Sequence, residues 1–315
     1  MSPVKPLVSV IMNCHNSDAF LKEAIESVYA QTFSDWEIVF FDNASIDKSQ
    51  AIAKSYDDKI QYFYVAERLS LGHARNAAIA KARGQYIAIL DCDDLWLPTK
   101  LEQQVASFKQ GSDSKKPLGL CYTSAVRISS DGKELSSYAR ERKTFSGEIY
   151  HKLIDDCFIP CSSVMLTKQA LMYTQGFDVR WNQVEDWDLW LRIAKHYTAA
   201  YVEAPVTKIR LHANNLSRNI SAHFKEKIEL LEDLKRSDPA VCSHCLRMIA
   251  ELTLQQNIAE FLLANKNKFV VRSKLLLAIA WSVIKNPRIF IKTLGKYVNR
   301  DMIALFKLKF FNSGA

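Results

Sequence analysis

The first hundred residues alternate between two hydrophobic periods. Residues 7–12, 37–41, 60–65 and 86–90 are short runs rich in β-branched and aromatic side chains, the signature of buried strands. Between them, apolar residues recur at helical spacing. Phe20, Leu21, Ala24, Ile25 and Val28 predict a helix over 19–31, and two more are expected over 46–56 and 73–83, the last stopped by Gly84. Pro98 opens the next helix. Strands alternating with helices predict an α/β fold whose sheet is mainly parallel. In such sheets ligands bind beyond the carboxyl ends of the strands. Three of those ends are polar here, at 13–16, 42–47 and 91–94, so they are expected to meet in one crevice.

The pattern then loosens. Residues 111–146 are polar and weakly periodic, read as a strand at 118–123 and a loop rich in Ser, Lys and Arg. A strand at 163–166, a helix at 168–175 capped by Thr167 and ended by Gly176, and a helix at 186–195 follow. From Ile220 onward every segment reads as helix. A chain of 315 residues has room for one large core and an appendage.

Charge divides the chain unevenly. The formal net charge is +8, yet residues 266–315 hold 11 Lys/Arg and one acid, Asp301. Arg288, Lys292, Lys296 and Arg300 recur every four residues as a basic stripe, with Phe290, Ile291, Leu294, Tyr297 and Val298 as an apolar side. Such a helix suits an anionic membrane surface, or packing on the rest of the chain or on a second copy in a homo-oligomer. Nucleic acid is not expected, because no binding motif accompanies the charge. No run reaches the ~18–20 apolar residues of a membrane span, and the first residues lack a signal-peptide pattern. The seven cysteines are odd in number and scattered, which fits reduced thiols in a cytoplasmic protein. Cys242 and Cys245 have CxxC spacing without a second pair, so they read as thiols on a helix rather than a zinc site.

The chemistry concentrates in carboxylates. The apolar run at 86–90 stops at Asp91, Asp93 and Asp94, acids whose mutual repulsion calls for a cation or tight hydrogen bonding. A second acidic pair lies at Glu185 and Asp186. Neither a GxGxxG, a GxxxxGK[ST] nor a GxSxG motif is present, which disfavours dinucleotide, P-loop and serine-nucleophile chemistry.

Several segments in order, VSVIMNCHN, SVYAQ, EIVFFDNASID, ARNAAIAKARGQYIAILDCDD with LWLP, GFD, VEDWDLWLRIA and RLHANNLS, resemble the inverting glycosyltransferases of family two, which have the GT-A fold. The resemblance runs to about Asn219. It implies a GT-A catalytic domain at 1–219, divided into a nucleotide-sugar half (1–110) and an acceptor half (111–219), with a basic α-helical appendage at 220–315. It further implies transfer of a sugar from a nucleotide-sugar, a UDP-sugar foremost, to a saccharide or lipid-linked saccharide hydroxyl in surface polysaccharide or lipopolysaccharide synthesis. The expected place is the cytoplasm, at the inner face of the membrane.

The family's roles map position by position. Asp42 corresponds to the acid that bonds the donor's base, Asn13 joins the donor site, and Arg75 braces the nucleotide and the acidic motif. Asp91 approaches the ribose and metal-bound water. Asp93 coordinates Mn²⁺ or Mg²⁺, Asp94 is structural, and His212 reaches the metal or diphosphate. Arg210 is expected to neutralise phosphate. Asp186 is the expected catalytic base, with Glu185 as its alternative. A nucleotidyltransferase, or a non-catalytic sugar-binding protein retaining the fold, stands as the competing expectation.

Overall fold

The computed structural model describes residues 5–111, 114–137, 143–213, 215 and 219–263. The basic stripe at 266–315 therefore lies outside the described residues, as do residues 138–142 of the polar stretch 111–146. The chain forms two compact units that divide between Arg218 and Asn219.

The first unit is built on one sheet. Strands β1 (Val8–Cys14), β2 (Trp36–Asn43), β3 (Ile60–Val65) and β4 (Tyr86–Ile89) are parallel, in the order β3-β2-β1-β4. All eight residues of β2 are buried, and so are Val8, Val10 and Met12 of β1, because helices cover both faces. Helices α1 (Asp18–Tyr29), α2 (Ser49–Ala53), α3 (Leu71–Lys81) and α4 (Lys100–Gln110) make the connections. Leu21, Ile25 and Val28 of α1 pack with Val8, Val10 and Met12 of β1 in the main core cluster. Gly84 lets the chain pass close to β1: a Cβ there would lie 2.6 Å from the Ser9 backbone nitrogen.

This order places a switch point at the site. The chain leaves β1 for β2 and β3 on one side, then returns to β4 on the other. The two connections diverge beyond the carboxyl ends of β1 and β4, which opens a crevice there. Asn13 and Asp91–Asp94 lie at that point.

The remaining strands extend the sheet. A two-residue β5 (Leu95–Trp96), β6 (Leu118–Ser129), β7 (Glu134–Ser137), β8 (Val164–Thr167) and β9 (Thr198–Leu211) bring it to nine strands among the described residues. Strand β8 is antiparallel to both β4 and β6, whereas β6 and β9 are parallel. The expected α/β sheet flanked by helices is thus observed as a mixed sheet, parallel through its first four strands, with helices α5 (Tyr150–Asp155), α6 (Lys168–Tyr173) and α7 (Glu185–His196) completing the unit.

Three expectations need correction. The strand expected at 118–123 continues to Ser129. The 14-residue β9, which delivers Arg210 and His212, was not expected, because Pro205 interrupts its apolar pattern. The register explains the tolerance: pairing jumps from Thr123↔Val202 to Ala125↔Thr207, so Pro205 sits in the irregularity, outside the paired register. The helix expected at 46–56 shortens to α2, with Ile46 92% exposed before it. In the second unit, α8 (Ile220–Ser237) and α9 (Cys242–Leu263) pack on each other, in keeping with the helical pattern. All seven cysteines are free thiols, including Cys242 and Cys245 on α9.

Candidate active site

Beyond the ends of β1 and β4 lies a cavity of about 660 Å³. Its walls include Asn13, Arg75, Asp91, Asp93, Asp94, Glu185, Asp186, Arg210 and His212. Segments separated by well over a hundred residues therefore meet in one pocket. Asp42 does not join them. Its carboxylate is fully buried, accepting from Tyr62 Oη at 2.6 Å and from the Ser45 backbone N–H at 2.9 Å.

The acidic motif is held by dedicated partners. Asp94 is 5% exposed; its Oδ2 accepts from Ser162 Oγ at 2.5 Å and its Oδ1 from the Arg210 backbone N–H at 2.8 Å. Ser162 Oγ also accepts from the Asp91 backbone N–H at 3.1 Å, so one hydroxyl ties both ends of the turn. Burial, with Asp93 and Asp91 nearby, pushes the Asp94 carboxyl well above the usual range. The expected structural role of Asp94 agrees with this wiring.

Asp93 faces the cavity. Its Oδ2 lies 2.8 Å from His212 Nε2 and accepts from Asn215 Nδ2 at 3.3 Å. Burial and the neighbouring Asp91 raise its pKa, while His212 pulls it down. Asn215 also accepts the His212 backbone N–H on its Oδ1 at 2.6 Å, which fixes the turn carrying the imidazole. Among the described residues, no three acidic, His or Cys side chains are grouped to hold a metal ion by themselves. The donor set is one carboxylate and one imidazole on the same side of an open cavity. That fits a hard divalent cation completing its shell from diphosphate oxygens and water.

Arg75, on α3, joins the two acidic clusters. Its guanidinium is 3% exposed and donates from Nη2 to Asp91 Oδ1 at 2.8 Å and from Nη1 to Glu185 Oε1 at 2.7 Å. The face of Phe177 lies 5.3 Å beneath it. A buried guanidinium is tolerable only with such partners. Burial drives Glu185 above its ordinary value, and Arg75 opposes the shift. Asp186, the next residue, is half-buried and lines the cavity. Its Oδ1 accepts the Trp187 backbone N–H at 2.6 Å in the first turn of α7, where the helix dipole favours a negative charge.

Two further placements matter. Asn13 Oδ1 is a buried acceptor that finds no hydrogen-bond partner among the described residues, and Asn13 lines the cavity. Arg210, expected on phosphate, is 1% exposed, and each of its three side-chain nitrogens donates to a protein oxygen. Sequence reasoning missed Ser162 and Asn215. Asn215 lies within the RLHANNLS segment, but Ser162 had no signal, since a serine after Pro160 reads as an ordinary turn.

Comparison with known proteins agrees with this geometry. The family description "Glycosyl transferase family 2" matches residues 9–168. An uncharacterised glycosyltransferase of Rickettsia typhi is 32% identical over 212 residues, covering 66% of this chain and 64% of that protein, so the chain spans less than two thirds of that relative. The UDP-Glc:alpha-D-GlcNAc-diphosphoundecaprenol beta-1,3-glucosyltransferase WfgD of Escherichia coli is 28% identical over 246 residues, covering 77% of this chain and 92% of WfgD. Among solved structures, S. aureus TarS 1–349 in complex with UDP-GlcNAc has a TM-score of 0.62 at 14% identity, covering 91% of this chain and 81% of that one. The mannosyltransferase PcManGT from Pyrobaculum calidifontis, in complex with GDP-Man and Mn²⁺, has a TM-score of 0.59 at 17% identity, covering 98% and 89%. At these identities the structural likeness speaks to fold alone. With half its length matched by the family description and the acidic motifs converging on one cavity, the chain belongs to glycosyl transferase family 2 and is a glycosyltransferase.

Proposed function

We propose that the protein transfers one sugar from a UDP-sugar to a hydroxyl of a saccharide or lipid-linked saccharide, inverting the anomeric centre. The observation that carries this reading is that Asp93, His212 and Asp186 line the same cavity. One set of groups suits a cation and diphosphate, the other suits a proton.

The acceptor hydroxyl is a poor nucleophile at neutral pH, so a carboxylate must take its proton as the new bond forms. Asp186 fits that task, because it is open to the cavity and oriented by the Trp187 N–H. Glu185 fits it poorly, being 5% exposed and clamped by Arg75. The hydroxyl oxygen attacks the anomeric carbon from the face opposite the diphosphate. The sugar–oxygen bond breaks with both electrons leaving on the nucleoside diphosphate, and one displacement inverts the centre. Arg75 holds Asp91 and Glu185 in register, so donor and acceptor sides stay fixed relative to each other. Asn13 Oδ1 is suited to accept an N–H or O–H of the nucleoside. Asp42 is assigned instead to bracing the end of β2 through Tyr62 and Ser45. A divalent cation, Mn²⁺ or Mg²⁺, held by Asp93 and His212 when bound, stabilises the charge that grows on the leaving diphosphate.

The proposed acceptor class is supported by analogy with one relative. WfgD, by its name, glucosylates a diphosphoundecaprenol-linked sugar. A lipid-linked acceptor places the reaction at the inner membrane face, where the basic residues of 266–315 supply attraction to anionic lipid. Among the described residues no helix is long and apolar enough to cross a membrane.

Calorimetry with UDP tests this reading on the parent protein and on Asp93→Ala. Mn²⁺ is expected to tighten UDP binding in the parent, and the variant is expected to lose most of that gain. Binding indifferent to Mn²⁺ would favour a sugar-binding protein without catalysis, and no UDP binding would remove the donor assignment.

A further inference from the structure

We infer that Arg210 is a positioning residue for the metal pair and not a ligand of the donor phosphates. The inference rests on the metal site proposed above. A phosphate-binding arginine presents its fork to the cavity. Here the fork is engaged inside the protein. Nε donates to the Asp93 carbonyl at 3.0 Å, Nη1 to the Ser130 carbonyl at 2.9 Å, and Nη2 to Glu23 Oε2 at 2.8 Å. The guanidinium lies 4.6 Å from the centre of the Phe20 ring, and the same ring lies 5.1 Å from His212 between centroids.

The backbone of the same residue completes the clamp. Its N–H donates to Asp94 Oδ1 at 2.8 Å, and its carbonyl accepts from Asn215 Nδ2 at 3.1 Å. Arg210 thus grips Asp93 through its carbonyl, Asp94 through its carboxylate, and His212 through both Phe20 and Asn215. The two proposed metal ligands come from different elements, the turn after β4 and the end of β9. Arg210 bonds directly to both the Asp93–Asp94 turn and the Asn215 side chain that fixes His212. Groups that orient ligands without touching the metal change its affinity by about 10–100-fold. A buried cation with one half-exposed carboxylate partner is costly for stability alone, and its placement makes sense as orientation.

The test separates positioning from phosphate binding by UDP calorimetry on the full chain with and without Mn²⁺. Arg210→Met keeps apolar packing on Phe20 and removes the three side-chain donors. It is expected to lose about tenfold or more of the Mn²⁺-dependent gain in UDP affinity, with metal-free UDP affinity within about twofold of the parent. An equal loss of metal-free affinity would overturn the inference in favour of a direct phosphate contact. An unchanged Mn²⁺-dependent gain would overturn it in favour of a purely structural arginine. Should Arg210→Met not fold, Phe20→Leu serves. It leaves every Arg210 hydrogen bond in place, removes the ring shared with His212, and is expected to reduce the Mn²⁺ gain several-fold; no reduction would equally overturn the inference. A parent protein that shows no Mn²⁺ gain would instead sink the metal reading beneath it, a result distinguishable from either variant's behaviour.

Discussion

At the scale of single residues, the site separates two adjacent acids by environment. Glu185 and Asp186 share the first turn of α7 and its dipole, yet Glu185 is clamped by Arg75 and Asp186 faces the cavity. Removal of each should therefore fail differently. Asp186→Asn is isosteric and leaves the cation and nucleotide groups in place. It should reduce sugar transfer by about 10²–10⁴-fold while Mn²⁺–UDP binding stays close to that of the parent. Transfer assays beside calorimetry check both halves; a variant that keeps near-parent turnover would remove Asp186 from the base role. The acids themselves were legible in the sequence, because carboxylates ending an apolar strand are conspicuous. Their supports were not. Ser162 and Arg210 act through hydrogen bonds that exist only after β8 pairs with β4 and β9 pairs with β5. Asp42 was legible as an acid at a strand end, but its bonds from Tyr62 and Ser45 were not, since they form only when β3 and the turn after β2 come beside it.

At the scale of elements, strong local period decided what was readable. The strands and helices of the first hundred residues carry clean apolar patterns, and their parallel order fixes the crevice. Strand β9 carries a proline and mixed polarity, so it becomes a strand only through its pairing with β6. Helix α4 hides another feature that no pattern reveals. Lys100 is fully buried on it, with Nζ donating to Gln104 Oε1 at 2.7 Å and lying 3.8 Å from the centre of the Trp96 ring. Desolvation lowers its pKa to about 7. An unfolded lysine titrates near ~10.4. Between about pH 7 and ~10 the unfolded chain holds a proton that the native protein lacks, so stability rises with pH across that window. Below about 7 both states are protonated and the full burial penalty remains. Replacing Lys100 by Met should flatten that rise by on the order of a few kcal/mol. Urea unfolding at pH 7 and pH 9.5 checks it, and parallel slopes for parent and variant would show that Lys100 does not titrate in this range.

At the scale of the whole molecule, charge and chemistry occupy different parts of the chain. Every residue lining the cavity lies before Arg218, whereas 11 of the 42 Lys/Arg fall in the last fifty residues beside a single acid. The catalytic half has no need of such a charge, since its own acids and arginines are already paired around the cavity. A basic stripe repeating every four residues beside an apolar side suits a surface that is anionic outside and apolar beneath. Each basic side chain near such a surface contributes about 1 kcal/mol, so even a handful engaged at once gives measurable attachment. Because the attraction is electrostatic, it weakens as the screening length shortens from about 8 Å at physiological salt toward ~3 Å at 1 M. The full chain should therefore float with phosphatidylserine-containing vesicles at moderate salt, and much less with neutral vesicles or at high salt. A chain ending at residue 265 should remain at the bottom of the gradient under every condition. Equal flotation of the two would move the attachment into the first 265 residues. No flotation of either would leave the stripe to pack against protein, and the route to a lipid-linked acceptor would then have to run through the catalytic unit's own surface.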